Sequence, residues 1–132
     1  MLIALIAFSS YLSYKDLLTH RISNRSLLLG LAGFATLSVI VGSSIYPKSL
    51  LASLIAAPIL LKVNLGAGDL KLLFLLSTFF LPSTLLVLLK FLTALSVIST
   101  ILISIHVLAG RSLRSAIAFA PAICGAVIWC AR

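Results

Sequence analysis

The sequence predicts an all-α integral membrane protein. It should form one membrane-embedded domain over residues 1–132, a bundle of about six transmembrane helices with both termini outside. Three observations predict this. First, 62% of the 132 residues are hydrophobic and 9% are charged, against ~45–50% and ~25% in soluble domains. A soluble chain this short could not bury so much apolar surface, because small domains have a high surface-to-volume ratio. Second, the mean hydropathy is +1.30, and the apolar residues fall into runs of spanning length. Third, ten Lys or Arg stand against two acids. The basic residues occur singly between apolar runs, as they do on cytoplasmic loops, and not as a patch for nucleic acid. A soluble enzyme, a disordered tail, a nucleic-acid binder and a disulfide scaffold are all poor fits.

A bilayer core ~30 Å thick needs ~20 apolar residues per helix, with ~17 sufficient. Turn residues and charges divide the chain into six spans at about 2–18, 26–44, 49–64, 69–83, 84–106 and 113–131. The first lacks a positive n-region, and its first charge is Lys15, so it is expected to stay as an uncleaved span. The third and fourth are short and flank a Gly-rich joint. Pro58 and Pro121 are expected to kink their spans. Cys124 and Cys130 lie six residues apart and have no metal or redox spacing, so they read as small apolar fillers.

Charge gives the orientation. The first, third and fifth loops carry Lys15, Arg21, Arg25, Lys62, Lys71, Arg111 and Arg114. The other side carries only Lys48 and Arg132. Seven against two places the odd loops in the cytoplasm. Lys90 lies inside the fifth span and is expected to snorkel to its outer end.

The two acids are Asp16 and Asp69, and the chain has no Glu. An acid at membrane depth is costly and marks a functional site by default. Asp16 falls in the last turn of span one. Ser9, Ser13 and Asp16 have the spacing of one helix face, which should turn into the bundle. Asp69 opens span four. Two crossings separate the acids, so both lie at the same membrane face. Two carboxylates held together share a proton. One can then accept a proton from water while the other donates to a peptide carbonyl. Two plainer readings stand beside this one: Asp69 as the N-cap of span four, and Asp16 as a counter-charge to Lys15 or Arg21.

Gly66-Ala67-Gly68 precedes Asp69. Glycines at a helix start permit unusual backbone angles and close approach. The run Gly66-Ala67-Gly68-Asp69-Leu70-Lys71 resembles the Gly-x-Gly-Asp-x-Lys motif of type IV prepilin peptidases. The first loop, Asp16-Leu17-Leu18-Thr19-His20-Arg21-Ile22-Ser23-Asn24, is similar to that family's other signature, an Asp followed by basic residues and Arg-Ile-Pro-Asn. Phe119-Ala120-Pro121-Ala122-Ile123 with Gly125 resembles its Pro-containing last span. The resemblance covers the whole chain in order. It implies an aspartic endopeptidase of a prokaryotic cytoplasmic membrane. Such an enzyme removes short basic leaders from prepilins or pilin-like precursors, cutting after a Gly just before a long apolar helix. It also implies Asp16 and Asp69 as the catalytic acids, with Gly66, Gly68, Lys71, Arg21 and Asn24 as supporting motif residues.

Departures from the family pattern carry expectations too. Ser23 replaces the usual Pro, and Ser23 or Asn24 can still cap the second helix. Ala118 stands where many members have Pro. No N-terminal segment with paired cysteines is present, which resembles the short, peptidase-only form. No cofactor, zinc or methyltransferase activity is therefore expected. A basic leader should meet acids, yet the chain offers only its pair, so anionic lipid headgroups are expected to hold the leader. Lys71 lies on a different helix face from Asp69 and serves either a site role or a headgroup anchor; Arg21 is equally ambiguous. His20 and His106 lack acidic or cysteine companions, and the Thr93, Ser96, Thr100 and Ser104 stripe fits helix packing. Two other functions compete. One is an intramembrane protease like the presenilins, although Lys15 separates Tyr14 from Asp16. The other is a non-catalytic membrane subunit of a pilus or secretion assembly.

Overall fold

The structure, a computed structural model, describes residues 1–19, 23–62, 66–110 and 119–131. Among these residues it is all-helical, with α1 Leu2–Thr19, α2 Asn24–Val41, α3 Pro47–Lys62, α4 Ala67–Phe80, α5 Leu85–Leu108 and α6 Ala120–Cys130. Two helices, α2 and α5, are long and apolar enough to cross a membrane. The 24 residues of α5 span ~36 Å at 1.5 Å per residue. The 14 residues of α4 span only ~21 Å; the helix begins inside the Gly-rich joint at Ala67 and stops at Phe80, ahead of Pro82. The start of the sixth predicted span, residues 113–118, lies outside the described residues.

The molecule is apolar on its outside as well as in its core. Ile3, Val39 and Leu108 are each more than four-fifths exposed. Patches of this extent on a soluble monomer would be a docking surface or a liability. On a chain with two helices long and apolar enough to cross a membrane, such side chains suit contact with lipid.

Helix α4 is central. Leu70, Leu72, Leu73, Leu75, Leu76, Ser77, Phe79 and Phe80 are all buried, so it is covered almost all round, as an interior helix must be. It packs against α2, α3 and α6, while α6 also packs on α1 and α5. The core is a Leu and Phe cluster in which Phe34 meets Phe8 and Phe80 edge to face, at 5.2 and 5.0 Å between ring centroids. That geometry suits the ring quadrupoles. The Phe8 ring lies directly over Gly30, where an added Cβ would collide with it.

Local chemistry sets the helix ends. Ser23 is the N-cap of α2, its Oγ accepting from the Ser26 N–H at 3.2 Å. The missing Pro is thus replaced by a capping side chain, as the sequence predicts. Gly42 closes α2 at φ 65°, a left-handed angle that glycine adopts without a Cβ penalty. Polar contacts dock α3 on α4. The Tyr46 N–H donates to the Thr78 carbonyl at 2.8 Å, Ser49 Oγ donates to the Leu81 carbonyl, and Ser53 and Ser77 hydroxyls meet at 3.2 Å. Hydroxyls of this kind join helices where lipid offers no hydrophobic drive. Helix α3 runs through Pro58. Pro121 falls in the first turn of α6, where its missing N–H is not needed; within the described residues it opens that helix and does not kink it.

Candidate active site

Asp16 lies three residues before the end of α1. Leu5, Ser9, Leu12 and Asp16 are the buried residues of that helix. Their spacing is one stripe of a 3.6-residue helix, turned into the bundle as the sequence predicts. Ser13, on the same side, is half-buried. Asp16 is only 5% exposed, so its carboxylate needs partners. One is the Ala120 N–H, which donates to Oδ2 at 3.3 Å. That N–H belongs to the first turn of α6, where backbone donors are unpaired and the helix dipole favours negative charge.

Asp69 is the third residue of α4, whose N-cap is Gly66. It is half-buried, and its carboxylate accepts the backbone N–H of Gly66. This is the reciprocal half of a capping box, in which the third helical residue reaches back to the cap. The plain reading of Asp69 as the N-cap is thereby corrected by three positions: the cap is Gly66. Gly66 has φ −62° and ψ 142°, ordinary extended backbone, so its glycine does not serve an unusual angle. It serves space: a Cβ there would stand 3.1 Å from Asp69 Oδ2.

The two aspartates are near enough to interact electrostatically, although 53 positions separate them in sequence. Cys124 of α6 stands beside Ser9 and Ser13 and within electrostatic reach of both aspartates. It is buried, as an apolar filler should be, but its place at the carboxylates had no signal in its spacing. Lys71 is exposed, and its Nζ donates to Asn24 Oδ1 on α2 at 3.0 Å. Lys71 and Asn24, from the two separate motifs, therefore meet each other. Gly68 is the second residue of α4, half-buried beside Asp69. Arg21 and His20 lie outside the described residues. An open groove of about 520 Å³ runs between α3 and α5 over α4, lined by Ser53, Leu73, Ser77 and Phe91 among others; neither aspartate lines it.

Two acids from distant parts of the chain meet at the N-termini of two helices, and the third sequence motif supplies a donor to one of them. Residues 3–128 match the type IV leader peptidase family. The chain belongs to that family. The match runs from the start of α1 into α6. Neither a curated protein nor a solved structure matches the chain.

Proposed function

We propose that this leader peptidase is an aspartic endopeptidase that removes basic leaders from prepilin or pilin-like precursors at the cytoplasmic face of a prokaryotic membrane. The observation that supports it is the meeting of Asp16 and Asp69, the only two acids in the sequence, at one end of the helix bundle. In this reading the chain crosses the membrane six times with both termini outside. The loop between α1 and α2 and the joint between α3 and α4 then face the cytoplasm.

The pair holds one proton between its two carboxyl groups, and that proton belongs to the pair. The ionised carboxylate takes a proton from water as the water oxygen attacks the scissile carbonyl carbon. The protonated partner donates to the carbonyl oxygen. The tetrahedral product collapses when the peptide nitrogen is protonated and the carbon–nitrogen bond breaks. The carboxyl groups exchange roles and end as they began, with no covalent intermediate. Backbone N–H groups of Gly66 and Ala120 hold one carboxylate each. They orient the oxygens without taking a side chain from the substrate's path.

A second reading rests on the same contacts. Both aspartates satisfy helix N-termini, so both would also suit a non-catalytic membrane subunit. Asparagine separates the two readings, because its carbonyl still accepts a backbone N–H but it cannot exchange a proton. The chain, Asp16→Asn and Asp69→Asn are each co-expressed with pilin-like precursors, and leader removal is followed by mass spectrometry. We expect cleavage by the unaltered chain and a loss of at least ~10³-fold in either variant, at equal membrane levels. Cleavage surviving in either variant would overturn the aspartic mechanism. A cut inside the apolar helix would instead indicate an intramembrane protease.

A further inference from the structure

Helices α1 and α4 carry the aspartates, yet they pack chiefly through a third helix, α6, which contacts both. A spacing fixed on one side only would leave the two helix ends free to pivot. The other side is held differently. Lys15 immediately precedes Asp16, about 100° around the same helix. Its Nζ reaches Ser26 Oγ at 3.4 Å and Ser23 Oγ at 3.5 Å, and it also stands 5.7 Å over the Tyr11 ring one turn back. Lys71 follows Asp69 by two positions, about 200° around α4, and its Nζ bonds Asn24 Oδ1 at 3.0 Å. Ser23 and Ser26 are joined at 2.8 Å. Each aspartate-bearing helix thus turns its acid toward the pair and sends a lysine to the first turn of α2.

The placement is electrostatically unfavourable by itself. A helix N-terminus carries partial positive charge and disfavours cations. Two ammonium groups gather there because three side-chain oxygens accept from them. A headgroup anchor would point Lys71 into the interface and would not need Asn24.

We propose that the first turn of α2 is a yoke, in which Lys15 and Lys71 grip Ser23, Asn24 and Ser26 and fix the distance between the Asp16 and Asp69 helix ends. Lys71 and Asn24 are positioning residues, acting on the reaction through the separation of the two carboxylates. The proposal rests on the peptidase reading for its kinetic consequence and on geometry alone for its structural one.

Two measurements test it. In purified protein, Lys71→Met and Asn24→Ala should each lower kcat about five-fold, the equivalent of one ordinary, solvent-exposed hydrogen bond, with KM unchanged. The double variant should be no worse than either single one, because both remove the same bond. Lys71→Arg, which keeps a donor of similar reach, should restore most of the rate. Independent effects that multiply, or a change confined to KM, would overturn the yoke; the latter would place Lys71 on the leader. The second measurement needs no activity. Spin labels are placed at the exposed positions Leu18 and Ala67, one on each aspartate helix, with Cys124 and Cys130 replaced by alanine. Their distance distribution should be narrow with Lys71 present and clearly broader with Lys71→Met. An unchanged distribution would overturn the proposal. If no leader is cleaved by the unaltered chain, the peptidase reading fails, and the spin-label result still decides the yoke.

Discussion

Replacing Gly66 by alanine probes the site at its tightest contact. Gly66 sits at φ −62° and ψ 142°, which alanine adopts freely, so the substitution strains no backbone angle. Its cost is spatial. The added Cβ would lie 3.1 Å from Asp69 Oδ2, where ordinary contacts begin at 3.4 Å, so the carboxylate must retreat by about 0.3 Å. Two losses follow. The bond from the Gly66 N–H lengthens, at up to ~1 kcal/mol. A reacting oxygen also moves; since ~1 Å of misplacement costs ~10²-fold, about 0.3 Å costs roughly four-fold. Together they predict a fall in kcat of about four- to twenty-fold, or ~0.8–1.8 kcal/mol, with the fold intact. The assay is leader cleavage by purified protein in liposomes, read as kcat and KM, with thermal unfolding in detergent as the control. A Gly66→Ala variant with the original kcat would refute the spatial argument. So would a loss carried wholly by a lower unfolding temperature.

Other consequences can be measured on the same preparations. Ser23→Ala removes the cap of α2 and should cost about 1 kcal/mol of stability, seen as a lower unfolding temperature. Ser23→Pro should recover part of this, because the native φ of −74° is close to the angle proline fixes. Gly42→Ala forces a Cβ into a left-handed angle and should cost about 1–2 kcal/mol, while leaving kcat unchanged because Gly42 is far along α2 from Asn24. Cleavage at sub-saturating substrate should be several-fold faster in vesicles with anionic lipid than in neutral ones, since each basic leader residue gains about 1 kcal/mol near such a surface. Equal rates would remove the lipid from leader binding.

The long apolar runs announced themselves in the sequence because lipid demands a continuous stretch, and α1, α2 and α5 fall close to the predicted limits. Burial of Ser9 and Asp16 followed from spacing alone, since a polar stripe on an apolar helix has only the bundle interior to face. The short helices were harder to read. Periodicity cannot show that α4 is covered on all sides, because a helix of Leu and Phe reads the same in lipid or in a core. The sequence leaves the role of Gly66 open between angle and close approach for a related reason. Glycine signals permission without saying whether an angle or a space is required, and only its neighbour at Asp69 Oδ2 decides. Lys71 and Asn24 belonged to separate motifs 47 positions apart, and no local rule pairs them. Cys124 carried no motif at all, and its place beside the aspartates depends on how α6 packs.

The packing of α6 decides more than the position of one cysteine. Its buried residues include Ala120, Ala122, Cys124 and Ala126, small side chains that let neighbouring helices approach. Because α1 and α4 both rest on it, small side chains there let the two helices come close on that side. The same helix brings its first-turn N–H to Asp16, and α4 brings its own cap N–H to Asp69. Two helix N-termini therefore converge on the pair, and each favours negative charge there through unpaired backbone donors and its dipole. A buried carboxylate in an apolar bundle would otherwise be costly to keep charged. Backbone donors to both carboxylates meet part of that cost. The last span thus supplies one side of the packing and part of the electrostatics on which an aspartate pair depends.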